Sequence, residues 1–271
     1  MPADSNIRWN IIAEHGGALL LENQYVLPFG FMTDAAIMNY RENHDNPFLA
    51  QNDLFRRATG IGGDLFQIIT PTNHIELRFE YQMPHEACLY VFIDTYAAND
   101  ARVLLWDTLM RTVSVERGNI FHAGSFDRFS TVAIEMDGQA DVPITIIAAV
   151  FNHELFREGF NRLAANPLNL THFSDTRIQG NVMVTNPGIL YISLPHNDLW
   201  RVFVHGEEQE IITIGGAMTG IMINTAGEHD IELRFHNRML NIGLVISILS
   251  ILTFIALCNI KVIKKLFRRV A

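Results

Sequence analysis

The chain has 271 residues, 20 Lys and Arg against 29 Asp and Glu, a formal net charge of −9, and 49% hydrophobic residues. That length and apolar content can bury substantial cores and leave room for more than one domain. The acidic balance excludes nucleic acid as a partner, because neutralising phosphates requires clustered Lys and Arg.

Eighteen Phe and three Trp beside so few lysines suit compact β structure. Residues 1–63 hold extended segments and one short helix. Apolar and polar residues alternate through Ile11-Ile12-Ala13-Glu14 and Ala18-Leu19-Leu20-Leu21-Glu22 up to Leu27-Pro28-Phe29-Gly30, which predicts strands. Asn46 can then cap a helix, Pro47 suits its first position, and Gly60 closes it. Phe48, Leu54, Phe55 and Ala58 supply its apolar stripe.

From 64 to 150 the period is two. Ile75–Tyr81, Leu89–Thr95 and Val142–Val150 read as strands, broken at Gly118-Asn119, Ala123-Gly124-Ser125 and Asp137-Gly138. Short strands at this spacing predict an antiparallel sandwich of jelly-roll or immunoglobulin-like type. Residues 151–169 switch to helical spacing at Leu155, Phe156, Phe160 and Leu163 and stop before Asn166-Pro167, as a linker helix would. A second sandwich follows over 170–238, in which Gly188–Pro195 echoes Ala87–Asp94 and Trp200–Gly206 echoes Arg102–Asp107. The fold class expected is therefore mainly β, two β-sandwich units with a linker helix and one C-terminal transmembrane helix.

That last helix is predicted over 241–260, where no charge interrupts Ile242 to Ile260 and the length matches a bilayer's hydrocarbon core. The tail 261–271 holds Lys261, Lys264, Lys265, Arg268 and Arg269, which include every lysine of the chain, whereas residues 1–260 carry 15 basic against 29 acidic side chains. The positive-inside rule then puts the tail in the cytoplasm and the bulk outside a bacterial cytoplasmic membrane. Met1-Pro2-Ala3-Asp4-Ser5-Asn6 has neither the basic nor the apolar region of an export signal, so earlier spans are expected from a missing N-terminal membrane domain, on the same or an adjacent polypeptide. A tail-anchored protein facing the cytosol is the competing topology.

Motifs for chemistry are sparse. Gly60-Ile61-Gly62-Gly63-Asp64 lacks a following Lys-Ser/Thr and precedes a strand, so it reads as a loop after a helix cap. After His153-Glu154 the position that a zinc helix would fill with His is Arg157. Cys88 lies in an apolar strand and reads as core, and with Cys258 in the predicted span the two cannot pair. No catalytic, cofactor-binding or metal-binding residue is assigned. Trp106, Tyr191 and Trp200, with His196 and Asn197, could form an aromatic platform for a sugar, against the weightier reading of strand-edge or core packing; Tyr191, His196 and Trp200 are the glycan-binding candidates.

At Leu190-Tyr191-Ile192-Ser193-Leu194-Pro195, Leu199–Gly206, Met218–Ile221, Gly227–Phe235, Gly243 and Ser247 the chain resembles the C-terminal region of YfhO-type bacterial membrane proteins. Leu27–Phe31 and Asn46–Asn52 extend the likeness upstream, to roughly 25–255. His205 stands where the family shows Asp, and Phe235 where it shows Tyr. The resemblance implies glycosyltransferase-like proteins of the GT-C type that glycosylate cell-surface polymers, with catalytic acids in the first extracytoplasmic loops near the N-terminus, a region this chain lacks. The implied function is acceptor recognition or scaffolding by an extracytoplasmic portion, with the lipid bilayer and a cell-surface glycan as partners. The alternative is a stand-alone, membrane-anchored glycan-binding module without enzymatic activity.

Overall fold

The computed structural model describes residues 9–41, 45–96, 98–115, 118–138 and 142–258. Among them lie five sheets and three α-helices, α1 (Pro47–Thr59), α2 (His153–Ala164) and α3 (Arg238–Cys258), so the chain is mainly β. Lys261, Lys264, Lys265, Arg268 and Arg269 fall outside the described residues.

Compactness divides the chain into two units. The first comprises Met1–Asn169, Asn181–His196 and Ile211–His229, and the second Leu170–Gly180, Asn197–Glu210 and Asp230–Ala271.

In the first unit a four-stranded sheet runs, in spatial order, Asn119–Phe126, Ala87–Thr95, Ile144–Phe151, Phe66–Ile69. A five-stranded sheet runs Asn73–Ile75, Arg78–Gln82, Thr131–Met136, Asp100–Leu105, Thr108–Ser114. The two share one core, in which Leu89, Val91 and Ile93 of one sheet join Phe79, Tyr81, Val103 and Ile134 of the other. Pairing is antiparallel throughout these sheets.

The opposite side chains of Ala87–Thr95 are buried too. Cys88 and Tyr90 face a second core with Phe48 and Phe55 of α1 and with Phe66, against which Leu155 and Phe156 of α2 pack. Burial on both faces explains why this strand is an unbroken apolar run from Ala87 to Ile93. Both helices also reach a third core, Ala58 of α1 meeting Ile37, Ile189 and Ile214 while Leu163 of α2 packs alongside. This helix, expected as a linker, packs one face against two of the cores. Its approach to α1 needs Gly159, where a Cβ would lie 2.1 Å from Phe55 Cε2.

The third core backs a four-stranded sheet ordered Ile211–Ile214, Met218–Ile223, Gly188–Pro195, Gly30–Thr33. Its last strand comes from the N-terminal region, in register with Thr33 opposite Ile189 and Gly30 opposite Ile192. Thr33 Oγ1 donates to Ile189 O at 2.9 Å. Helix α1 begins as its sequence predicts: Asn46 Oδ1 accepts from Phe48 N at 2.9 Å, Pro47 follows, and Gly60 ends it with φ 66°. Phe48, Phe55 and Ala58 are buried, but so is Asn52, whereas Leu54 is exposed.

Two expectations are corrected. Ile75–Tyr81 is two strands, because Glu76 takes φ 50° and the chain reverses there. Ala123-Gly124-Ser125, expected to be a break, lies inside Asn119–Phe126, where the register shifts between His122 and Gly124. That shift is a bulge, which bends a strand without ending it.

The second unit draws on a five-stranded sheet ordered Leu168–Phe173, Arg177–Val184, Gly227–Phe235, Trp200–Val204, Glu207–Gln209, and on α3. Among the described residues no helix is long and apolar enough to cross a membrane, so they do not support the span expected over 241–260. Helix α3 does cover that run up to Cys258, and residues 242–257 are all exposed.

Candidate functional site

Where α1 and α2 lie on the four-stranded sheet, the aromatic side chains do not close completely. A cleft of about 410 Å³ opens between Tyr25, Phe66, Tyr90, Phe151 and Phe156, with Leu65 and Ile120 completing the apolar wall. Asn23, Gln51 and His153 supply its polar groups. The rings are held by one another. Tyr25 stands edge-on to Phe156 and Phe160, each at 5.1 Å. Phe66 contacts Tyr90 and Phe151 at 5.5 and 5.0 Å, and Phe151 contacts Phe156 at 5.5 Å. Asn23 Oδ1 accepts from Tyr25 N at 3.0 Å, which fixes the turn carrying Tyr25.

A second cavity of about 440 Å³ shares Phe151 and His153 with the first. Its wall is polar, with Asp64, Gln67, His85 and Glu86 facing Asn152 and Glu154 at the start of α2. Asp64 is paired with Arg56 at 2.5 Å. His153 Nε2 lies 3.1 Å from Cys88 Sγ, which in turn lies 3.1 Å from Ser125 Oγ. Cys88 is buried and lines neither cavity, so this trio buttresses the floor and presents no nucleophile. Among the described residues no group of three or more His, Cys, Asp or Glu could hold a metal ion.

The residues singled out in the sequence lie elsewhere. Tyr191, in the first unit, stacks on Phe31 at 5.1 Å, and burial pushes its hydroxyl pKa up. His196 is half-buried in the same unit, and its N–H donates to Ala217 O at 2.7 Å. Trp200 opens a strand of the second unit, half-buried, edge-on to Phe235 at 5.3 Å. Trp106 sits exposed in a turn with φ 48°. The cleft residues were missed because they come from six separate segments. The one local signal was the alternation of Tyr90 with Leu89 and Val91, which marks a strand buried on both faces.

Charge in the second unit centres on Glu232. Arg234 bonds both its oxygens, at 2.8 and 2.6 Å, and Arg177 Nε donates at 2.6 Å. Hydrogen bonding to Arg234 first, and then to Arg177, holds the carboxyl at about 2. A folded pKa below the unfolded value stabilises the fold above the unfolded pKa, and that contribution disappears as pH falls from about 4.5 to about 2. Melting temperature measured against pH should fall over that window in the native chain and fall less in Glu232→Gln. Identical profiles would show the triad to be inconsequential.

Comparison with known proteins adds a family. No curated protein matches the chain. Among solved structures, a conserved protein of unknown function from Pseudomonas aeruginosa PAO1 aligns with 9% identity and a TM-score of 0.20, over 63% of this chain and 82% of that one. A cupin 2 conserved barrel domain protein from Leptotrichia buccalis aligns with 11% identity and a TM-score of 0.18, over 65% and 92%. The family model described as bacterial membrane protein YfhO matches residues 3–247, nearly the whole chain, and this protein therefore belongs to the YfhO family.

Proposed function

We propose that this chain is the extracytoplasmic, β-rich part of a bacterial membrane protein that takes part in glycosylating cell-surface polymers. It recognises the acceptor or scaffolds the membrane-embedded machinery, and its β units are two-layer sandwiches. Helix α3 is the observation that carries the reading. Its apolar residues 242–257 are all exposed, among them Leu244, Ile248, Leu252 and Phe254. A surface of that size is stable only when an apolar phase covers it, and family membership makes the bilayer that phase. The uncharged sequence continues to Ile260, and the five cations beyond it favour a cytoplasmic tail.

Flotation with liposomes tests this. The full chain should rise with the vesicles, and a chain ending at Asn237 should stay at the bottom of the gradient. Equal behaviour of the two would sink the membrane assignment. The stand-alone binding module is the second reading, favoured by a largely aromatic cleft whose lining includes no Asp, Glu, Lys or Arg. Sugar transfer by the purified chain from a polyprenyl-phosphate donor would overturn both readings.

A further inference from the structure

We infer that the aromatic cleft of the first unit is a binding site for a neutral pyranose ring of the acceptor glycan; this rests on the acceptor-recognition reading above. A pyranose has an apolar C–H face and a rim of hydroxyls that both donate and accept. Aromatic rings cover the first, and side-chain amides, which carry a donor and an acceptor together, serve the second. The cleft offers both. Tyr25, Phe151 and Phe156 are half-buried rings at its wall, and Asn23 and Gln51 bring amides to it. Its volume of about 410 Å³ lies within the range of small-ligand clefts, roughly 300–1,000 Å³.

Gln51 gives the strongest indication. Along Asn46–Asn52 each neighbouring polar or aromatic residue is committed to the fold. Asn46 caps α1, Pro47 starts it, Phe48 is fully buried, and Asn52 bonds the backbone of Phe66. Gln51 is exposed, no side-chain hydrogen bond of it is found among the described residues, and it lines the cleft. The fold does not require an amide there.

Charge narrows the ligand class. The lining holds no Lys or Arg to meet a phosphate and no carboxylate to meet an amine, so the ring is a neutral sugar. An isoprenoid chain fits the rings but would cover the amides of Asn23 and Gln51 without returning a hydrogen bond, and burying polar groups unpaired is unfavourable.

The test uses the full chain in lipid nanodiscs, with gentiobiose and diacetylchitobiose as neutral disaccharide probes and farnesol as an apolar one, read by saturation-transfer NMR. At least one disaccharide should bind with a Kd of about 1 mM or tighter. Gln51→Ala should weaken it about tenfold or more without moving the melting temperature, and Tyr25→Ala should weaken it at least as much. Sugar binding indifferent to both substitutions would overturn the location. Farnesol binding lost in Tyr25→Ala, with neither sugar bound, would make the cleft a lipid site and overturn the ligand class. No binding of any probe while the chain still floats with liposomes would overturn this inference and leave the membrane assignment standing.

Discussion

Replacing Asn52 with alanine is expected to lower the unfolding free energy by about 3 kcal/mol, the sum of two lost hydrogen bonds and two stranded backbone groups. The side chain is 1% exposed. Its Nδ2 donates to Phe66 O and its Oδ1 accepts from Phe66 N, both at 2.9 Å. Helix α1 in this way satisfies the edge of the four-stranded sheet with an amide that mimics a strand partner. Alanine leaves the N–H and C=O of Phe66 buried without partners. Aspartate restores the acceptor but not the donor, and a carboxylate so deeply buried is disfavoured when ionised, so Asn52→Asp should recover stability as pH falls. Urea unfolding of the chain in nanodiscs measures both. A loss below about 1 kcal/mol for Asn52→Ala, the worth of one ordinary hydrogen bond, would show that water replaces the amide at this edge.

Gly188→Ala should be comparably damaging, although it adds a single methyl. A Cβ at Gly188 would stand 2.2 Å from Thr33 O, a backbone atom that cannot turn aside as a side-chain tip can. Relief requires the strand Gly30–Thr33 to move off Gly188–Pro195. Overpacking of this kind costs about 1–3 kcal/mol, and more where backbone must shift. Thermal unfolding should show a lower melting temperature, with amides of residues 30–33 exchanging faster in hydrogen–deuterium exchange. Unchanged protection of those amides would mean the sheet absorbs the methyl elsewhere.

Local features were legible in the sequence wherever the chemistry is local. Asn46, Pro47 and Gly60 set the ends of α1 by capping and φ preference alone, and the period-two stretches became strands. The turn at Glu76 was invisible because a glutamate, not a glycine, adopts the left-handed backbone there, and because Ile75, although exposed, continues in sequence the alternation of the buried Leu77, Phe79 and Tyr81. Gly124 misled in the opposite sense, since a glycine that makes a bulge looks like one that ends a strand. Periodicity states that α2 has an apolar face and is silent on what covers it. Leu155, Phe156 and Leu163 serve two different cores, a fact set by tertiary packing. The cleft was illegible for the same reason, Tyr25, Gln51, Tyr90 and Phe156 being far apart along the chain.

The pairing of Gly30–Thr33 with Gly188–Pro195 also sets a timetable for biosynthesis. The partners of the hydrogen bond between Thr33 and Ile189 are 156 positions apart, and a ribosome adds about 5–20 residues per second. The N-terminal strand therefore waits roughly 8–30 s after its own synthesis before its partner exists. During that interval Phe31 and Met32, both buried in the finished protein, lack the strand they finally pair with, so this edge of the sheet is completed only late in synthesis.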